Sequence, residues 1–148
     1  MAVKICSHAE TMRELKLCPG ELAVVCITPP GHPVPPPIQQ LAGELLHLEF
    51  DDIDLPRQTL QPPTAEHVSK ALEFAKEVED LIVCCNAGIS RSAGLAYVIE
   101  CSRVAHPALA CGVWDKDRHH PNRMVVRLGG ELLGNPEIER QHTKWMNQ

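Results

Sequence analysis

The strongest chemistry in this chain sits in a cysteine and an arginine six positions apart, Cys85 and Arg91. A thiolate is the nucleophilic form of cysteine. A guanidinium offers a planar fork of donors matched to phosphate oxygens. Between them Asn86, Ala87, Gly88, Ile89 and Ser90 carry no charge, and Ser92 follows. A nucleophile that expels an oxygen also needs a proton donor. Asp51, Asp52 and Asp54 fall within four residues just before Pro56 and are the candidates.

The flanking elements decide whether this spacing means anything. Leu81 to Cys84 is an apolar run of the kind found in a buried parallel strand. From Ser92 to Val104, Leu95, Val98, Ile99 and Ser102 recur at helical spacing. A strand, a tight loop and a helix N-terminus form an anion site, because loop N–H groups and the positive end of the helix dipole converge. A cation at that end opposes the dipole, and a bound anion removes the conflict. The same surroundings favour the thiolate of Cys85. The loop therefore reads as a nucleophile seated in an oxyanion cradle. Strand alternation points Cys84 the other way, as a core cysteine.

Upstream, Val3 to Cys6 is a short strand, and Ser7 caps a helix over Glu10 to Leu17 that Pro19-Gly20 ends. Leu22 to Ile27 is a core strand. The proline-rich stretch Pro29 to Pro37 is expected to be a stiff, exposed connection. Leu45 to Phe50 is a third strand, which brings the acids to the carboxyl edge of the sheet, where Cys85 also ends. Thr64 caps a helix reaching about Glu79, with Val68, Ala71, Leu72, Ala75 and Val78 as its apolar stripe. That helix makes a right-handed crossover to the Cys85 strand. His106-Pro107 then breaks the chain, and Ala108 to Trp114 is a shorter helix before a polar turn over Asp115 to His120. Pro121-Asn122 opens a helix through Met124, Val125, Leu128, Leu132 and Leu133, closed by Gly134-Asn135. Pro136 to Gln148 is either a last helix or a fraying tail. The expected fold is α/β in a single domain, 1–148, with a central, mostly parallel sheet of about four strands and helices on both faces.

Hydrophobic residues are 44% of the 148, but aromatics are only 3%, so aliphatic side chains are expected to fill the core. A net charge of −5 offers no basic face, against nucleic acid or an anionic membrane as partner. No apolar stretch is long enough to span a bilayer, and the N-terminus lacks a signal-peptide apolar region. Seven cysteines, an odd number, argue against a disulfide framework and for a reducing, cytoplasmic setting. There is no C-x2-C pair, Cys84-Cys85 is too tight for two ligands of one tetrahedral ion, and His119-His120 has no evident partner. No metal and no cofactor are expected.

Cys85 to Ser92 resembles the C-x5-R-[ST] signature loop of the cysteine-dependent protein tyrosine and dual-specificity phosphatases. Pro121-Asn122-Arg123, continuing to Leu132-Leu133-Gly134, is similar to small bacterial-type members of that family. The resemblance implies a phosphotyrosine-phosphatase-like fold and phosphomonoester hydrolysis through a phosphocysteine on Cys85. It implies that Asn86, Ala87, Gly88, Ile89, Ser90 and Arg91 hold the phosphate, with phosphate or sulfate fitting the same loop. Leu48-x-Phe50-x-Asp52 matches the strand end that carries the family's general acid, 33 residues ahead of Cys85. Asp52 is thus the first candidate, Asp54 the second and Asp51 the third. Ser92 is a helix-start residue and, by the resemblance, the hydroxyl that steadies the thiolate. One position departs from the family: Cys84 stands where histidine is usual. An uncharged loop favours phosphoproteins over phosphoinositides, with phosphotyrosine ahead of phosphoserine and phosphothreonine. The alternative is a catalytically weak phosphoprotein-binding module that keeps Cys85 and Arg91 but lacks a usable acid.

Overall fold

The structure, a computed structural model, describes residues 2–53 and 59–148. Strands β1 (Val3–Ser7), β2 (Ala23–Thr28), β3 (Glu44–Glu49) and β4 (Leu81–Cys85) form a sheet in the order β1-β4-β2-β3. Every pairing is parallel. The inner strands β2 and β4 are buried along their whole length. Their unbroken aliphatic runs suit strands covered on both faces. Helices α1 (His8–Leu17) and α2 (Pro36–Leu41) cover one face, where Leu15 and Ile38 pack on Val24, Cys26, Ile82 and Cys84. Helices α3 (Ala65–Lys76) and α4 (Arg91–Cys101) cover the other, against Val25, Ile27 and Val83. Outside them lie α5 (Pro107–Ala110), α6 (Arg123–Leu133) and α7 (Glu137–Met146). Every residue of α4 from Arg91 to Ile99 is buried, because sheet and α6 enclose it. Among the described residues no helix is long and apolar enough to cross a membrane.

The expected four-stranded α/β sheet is present, and two other expectations need correction. Pro29 to Pro37 is not just an exposed connection: Val34 is buried and α2 already starts at Pro36. Proline is well suited to a first helical turn, whose N–H would be unbonded anyway. The few aromatics do not leave the core purely aliphatic. Tyr97, Trp114 and Trp145 gather at one end, with ring centroids 4.2 Å apart for Tyr97–Trp114 and 4.7 Å for Trp114–Trp145. The Tyr97 hydroxyl donates to the Ile138 carbonyl at 2.7 Å, so the tail packs as α7. Of the shorter helix expected over Ala108 to Trp114, α5 and a 3-10 turn at Cys111–Val113 form.

The start of α1 braces the loop that follows β4. Ser7 Oγ accepts from the Glu10 N–H at 3.0 Å and Glu10 Oε1 accepts from the Ser7 N–H at 2.8 Å, a reciprocal capping box. Arg118 donates to both carboxylate oxygens of the same Glu10, with Nη1 to Oε2 at 2.9 Å. Gly88 rests on this junction with φ of +68°, and a Cβ there would lie 2.5 Å from the Ser7 nitrogen and 2.8 Å from Arg118 Nη2. Only glycine fits, for both conformation and space.

The Arg118 guanidinium, helped by the Ser7 N–H, holds the Glu10 carboxyl down at about 2. A folded-state value below the ordinary one contributes stability above the ordinary value and loses it as pH falls through the lowered one. With the side chain 32% exposed, Glu10→Gln should cost about 1 kcal/mol at pH 7. In urea unfolding the gap to wild type should close as pH falls from 4.5 towards 2.

Candidate functional site

Alternation along β4 turns Leu81, Val83 and Cys85 towards α4, and Ile82 and Cys84 towards α1. Beyond Cys85 the chain bends back over residues 86–90 and enters α4 at Arg91, with Gly88 as the left-handed position. Cys85 Sγ lies 3.0 Å from Ser92 Oγ. The cysteine is 2% exposed, while Asn86, Ala87 and Ile89 in the loop beyond it are open to solvent. The N–H groups of residues 86–90 donate to no other described residue.

Arg91 is 8% exposed, and its Nη1 donates to the Phe50 carbonyl at 2.9 Å, just past β3. No carboxylate among the described residues lies within ion-pair distance of it. A buried cation without a counter-charge is costly, and at a helix N-terminus the dipole adds to the cost. An oxyanion in the loop would relieve both.

Cys84 is a different kind of thiol. Hydrogen bonding with Cys26 and burial push it well above the ordinary value, so it stays protonated. Its sulfur shares the α1 side of the sheet with Cys26 and His8, their ligand atoms all within 4.8 Å of one another.

Asp52 Oδ1 accepts from Ser90 Oγ at 2.7 Å and from Asn122 Nδ2 at 3.0 Å. The acid turn is thereby tied to the loop and to the start of α6. Asn122 Nδ2 also donates to the Ile53 carbonyl at 3.0 Å, while its Oδ1 caps α6 by accepting from the Val125 N–H at 3.0 Å. A Cβ at Gly94 would lie 3.0 Å from the Asn122 carbonyl, so glycine allows this close approach. Asp51 is otherwise engaged: its N–H donates to the Gln61 carbonyl at 2.7 Å and its Oδ2 accepts from the Gln61 N–H at 2.8 Å. Asp54, the second candidate, lies outside the described residues.

A cleft of ≈ 320 Å³ opens beside Asp52 and Ser90, walled by His120, Pro121, Asn122, Arg123, His142 and Met146. His142 Nε2 is buried without a partner among the described residues. Burial first, then Arg123 and His120, push that imidazole down to about 4, so it is neutral at physiological pH. Sequence reasoning missed this wall and the Asn122 link to Asp52. The Pro-Asn pair signalled a helix start but not where the amide reaches.

No protein-family model matches the chain, and no curated protein matches it in sequence. Solved structures do. The human tyrosine phosphatase-like serine/threonine/tyrosine-interacting protein superposes with a TM-score of 0.65 at 20% identity, over 89% of this chain and 91% of that one. PTPMT1 in complex with PI(5)P gives 0.60 at 15% identity, over 99% and 93%. Tk-PTP in the active form gives 0.55 at 18%, over 95% and 92%. The chain has the tyrosine and dual-specificity phosphatase fold. In that fold the Cys85 thiol, the Arg91 guanidinium and the loop of residues 86–90 lie at one helix N-terminus, with the Asp52 carboxylate hydrogen-bonded to the loop's Ser90.

Inorganic phosphate should therefore slow alkylation of Cys85 by iodoacetate, read by peptide mass mapping. Arg91→Lys should weaken that protection by about tenfold, because the fork of donors is lost. Cys85 that alkylates at the same rate with and without phosphate would argue against an anion site.

Proposed function

We propose that the protein is a phosphomonoester hydrolase of the protein tyrosine or dual-specificity type, acting through a phosphocysteine on Cys85. The observation that carries this reading is the buried Arg91, with no ion-pair partner among the described residues, beside the Cys85–Ser92 contact. A bound oxyanion would supply the counter-charge that this guanidinium lacks there.

The Cys85 thiolate attacks phosphorus, forming an S–P bond as the ester O–P bond breaks. Residues Asn86 to Ser90, through their N–H groups, and the Arg91 guanidinium hold the phosphoryl oxygens as charge spreads over them. The departing oxygen takes a proton from Asp52. Ser90 and Asn122 occupy Oδ1, which leaves Oδ2 to carry that proton. The same carboxylate then accepts a proton from water, which attacks phosphorus and expels the Cys85 sulfur. Ser92 steadies the sulfur as it leaves. No step needs a metal.

The uncharged loop favours a phosphorylated protein, with phosphotyrosine ahead of phosphoserine and phosphothreonine. The exposed Arg123 beside the cleft suits an acidic residue next to the phosphorylated one. Seven free cysteines fit a reducing, cytoplasmic setting. One structural neighbour is named as a phosphatase-like interacting protein, which keeps a binding module as the second reading.

Turnover separates the two. Wild type should hydrolyse aryl phosphates and Cys85→Ser should not. Asp52→Ala should lower kcat by about a hundredfold on phenyl phosphate and by less on p-nitrophenyl phosphate, whose leaving oxygen needs less protonation. If wild type turns over no faster than Cys85→Ser yet still binds phosphopeptides, the binding module stands instead.

A further inference from the structure

We propose that His8, Cys26 and Cys84 form a site for a thiophilic divalent cation of the Zn2+ type, on the α1 side of the sheet. The pairing of β2 with β4 sets Cys26 beside Cys84, and the pairing of β1 with β4 sets Cys6 beside Cys84 on its other flank. All three thiols face the layer under α1 and α2. His8, the first residue of α1, brings its Nε2 to 3.5 Å from Cys26 Sγ.

The spacing fits the ion. Bonds of about 2.3 Å to sulfur and about 2.0 Å to nitrogen, at a tetrahedral angle, put the two ligand atoms about 3.5 Å apart. The nitrogen and sulfur already stand at 3.5 Å. No pair in the set is wider than 4.8 Å, which modest side-chain rotation closes. Two thiols and an imidazole suit zinc rather than magnesium or calcium, which prefer oxygen. Cys26 and Cys84 are fully buried while His8 is half-exposed, so the imidazole edge gives the ion its way in.

Charge also balances. Both thiols lose a proton to solvent as the ion enters; the His8 ring proton moves to Nδ1, so that Nε2 leaves the Ile27 carbonyl, now 3.0 Å away, and ligates through its lone pair. The +2 ion with two thiolates is neutral overall, which an apolar layer tolerates. The bound ion would staple β2, β4 and the β1–α1 junction, the three segments beneath the phosphate loop. Because the ligands lie 18 and 58 residues apart in sequence, no closely spaced pair marks them. This site does not depend on the phosphatase reading, since Cys85 faces the opposite side of β4.

The test titrates the reduced protein with Zn2+ against a chromogenic chelator, in wild type and in Cys85→Ser. Both should bind one equivalent and unfold at a higher temperature with the ion present. Co2+ in place of Zn2+ should show thiolate-to-metal charge-transfer absorption. Cys26→Ala, Cys84→Ala and His8→Ala should each weaken binding by about a hundredfold. If the buried cysteine variants fail to fold, His8→Ala decides, because that side chain is half-exposed. The site is overturned if reduced wild type binds no Zn2+, if Cys85→Ser abolishes binding, or if His8→Ala binds as wild type does.

Discussion

The structure is arranged around a guanidinium buried with no counter-charge among the described residues. Arg91 sits at the positive end of α4, enclosed by the sheet and α6, and among the described residues it donates to the Phe50 carbonyl. A cation at that end opposes the helix dipole, and burial adds a desolvation cost. Much of the architecture serves to hold the loop. Gly88 lets the loop lie against the capped start of α1, Glu10 and Arg118 lock that start, and Asn122 fastens the acid turn across the loop.

Alternation along β4 gives two adjacent cysteines separate environments. Cys85 faces α4 and a hydroxyl, while Cys84 faces a layer of thiols and aliphatic side chains, hydrogen-bonded to Cys26. The vicinal pair is thus not one reactive unit. Its two thiols face opposite layers of the sheet, Cys85 beside Ser92 and Cys84 beside Cys26 and His8. The fold is shared at only 15% to 20% identity with solved phosphatases and a phosphatase-like interacting protein, and a shared fold does not fix function.

The parts legible in sequence are those set by local pattern. The strands at Ala23–Thr28 and Leu81–Cys85 show as apolar runs, and helices α1, α3 and α6 show through Ser7, Thr64 and Asn122 as caps. The opposite orientations of Cys84 and Cys85 follow from a period of two. Beyond the shared sheet edge of Asp52 and Cys85, contacts between distant segments are not legible. The docking of α7 rests on Tyr97 and Trp114, some forty and thirty residues before Ile138 and Trp145. The wall at His120, Arg123 and His142, and the grip of Arg118 on Glu10, likewise arise only when the late helices fold over the sheet. The proline tract misled because proline disfavours helix interiors yet suits a first turn.

The most direct measurement is rapid acid quenching of wild-type protein during turnover of a phosphotyrosine peptide, followed by mass spectrometry of its proteolytic fragments. A phosphoryl group on the fragment bearing Cys85, absent in Cys85→Ser, is the expected result. Steady turnover with no phosphoryl group on Cys85, or with one on another residue, would contradict the account.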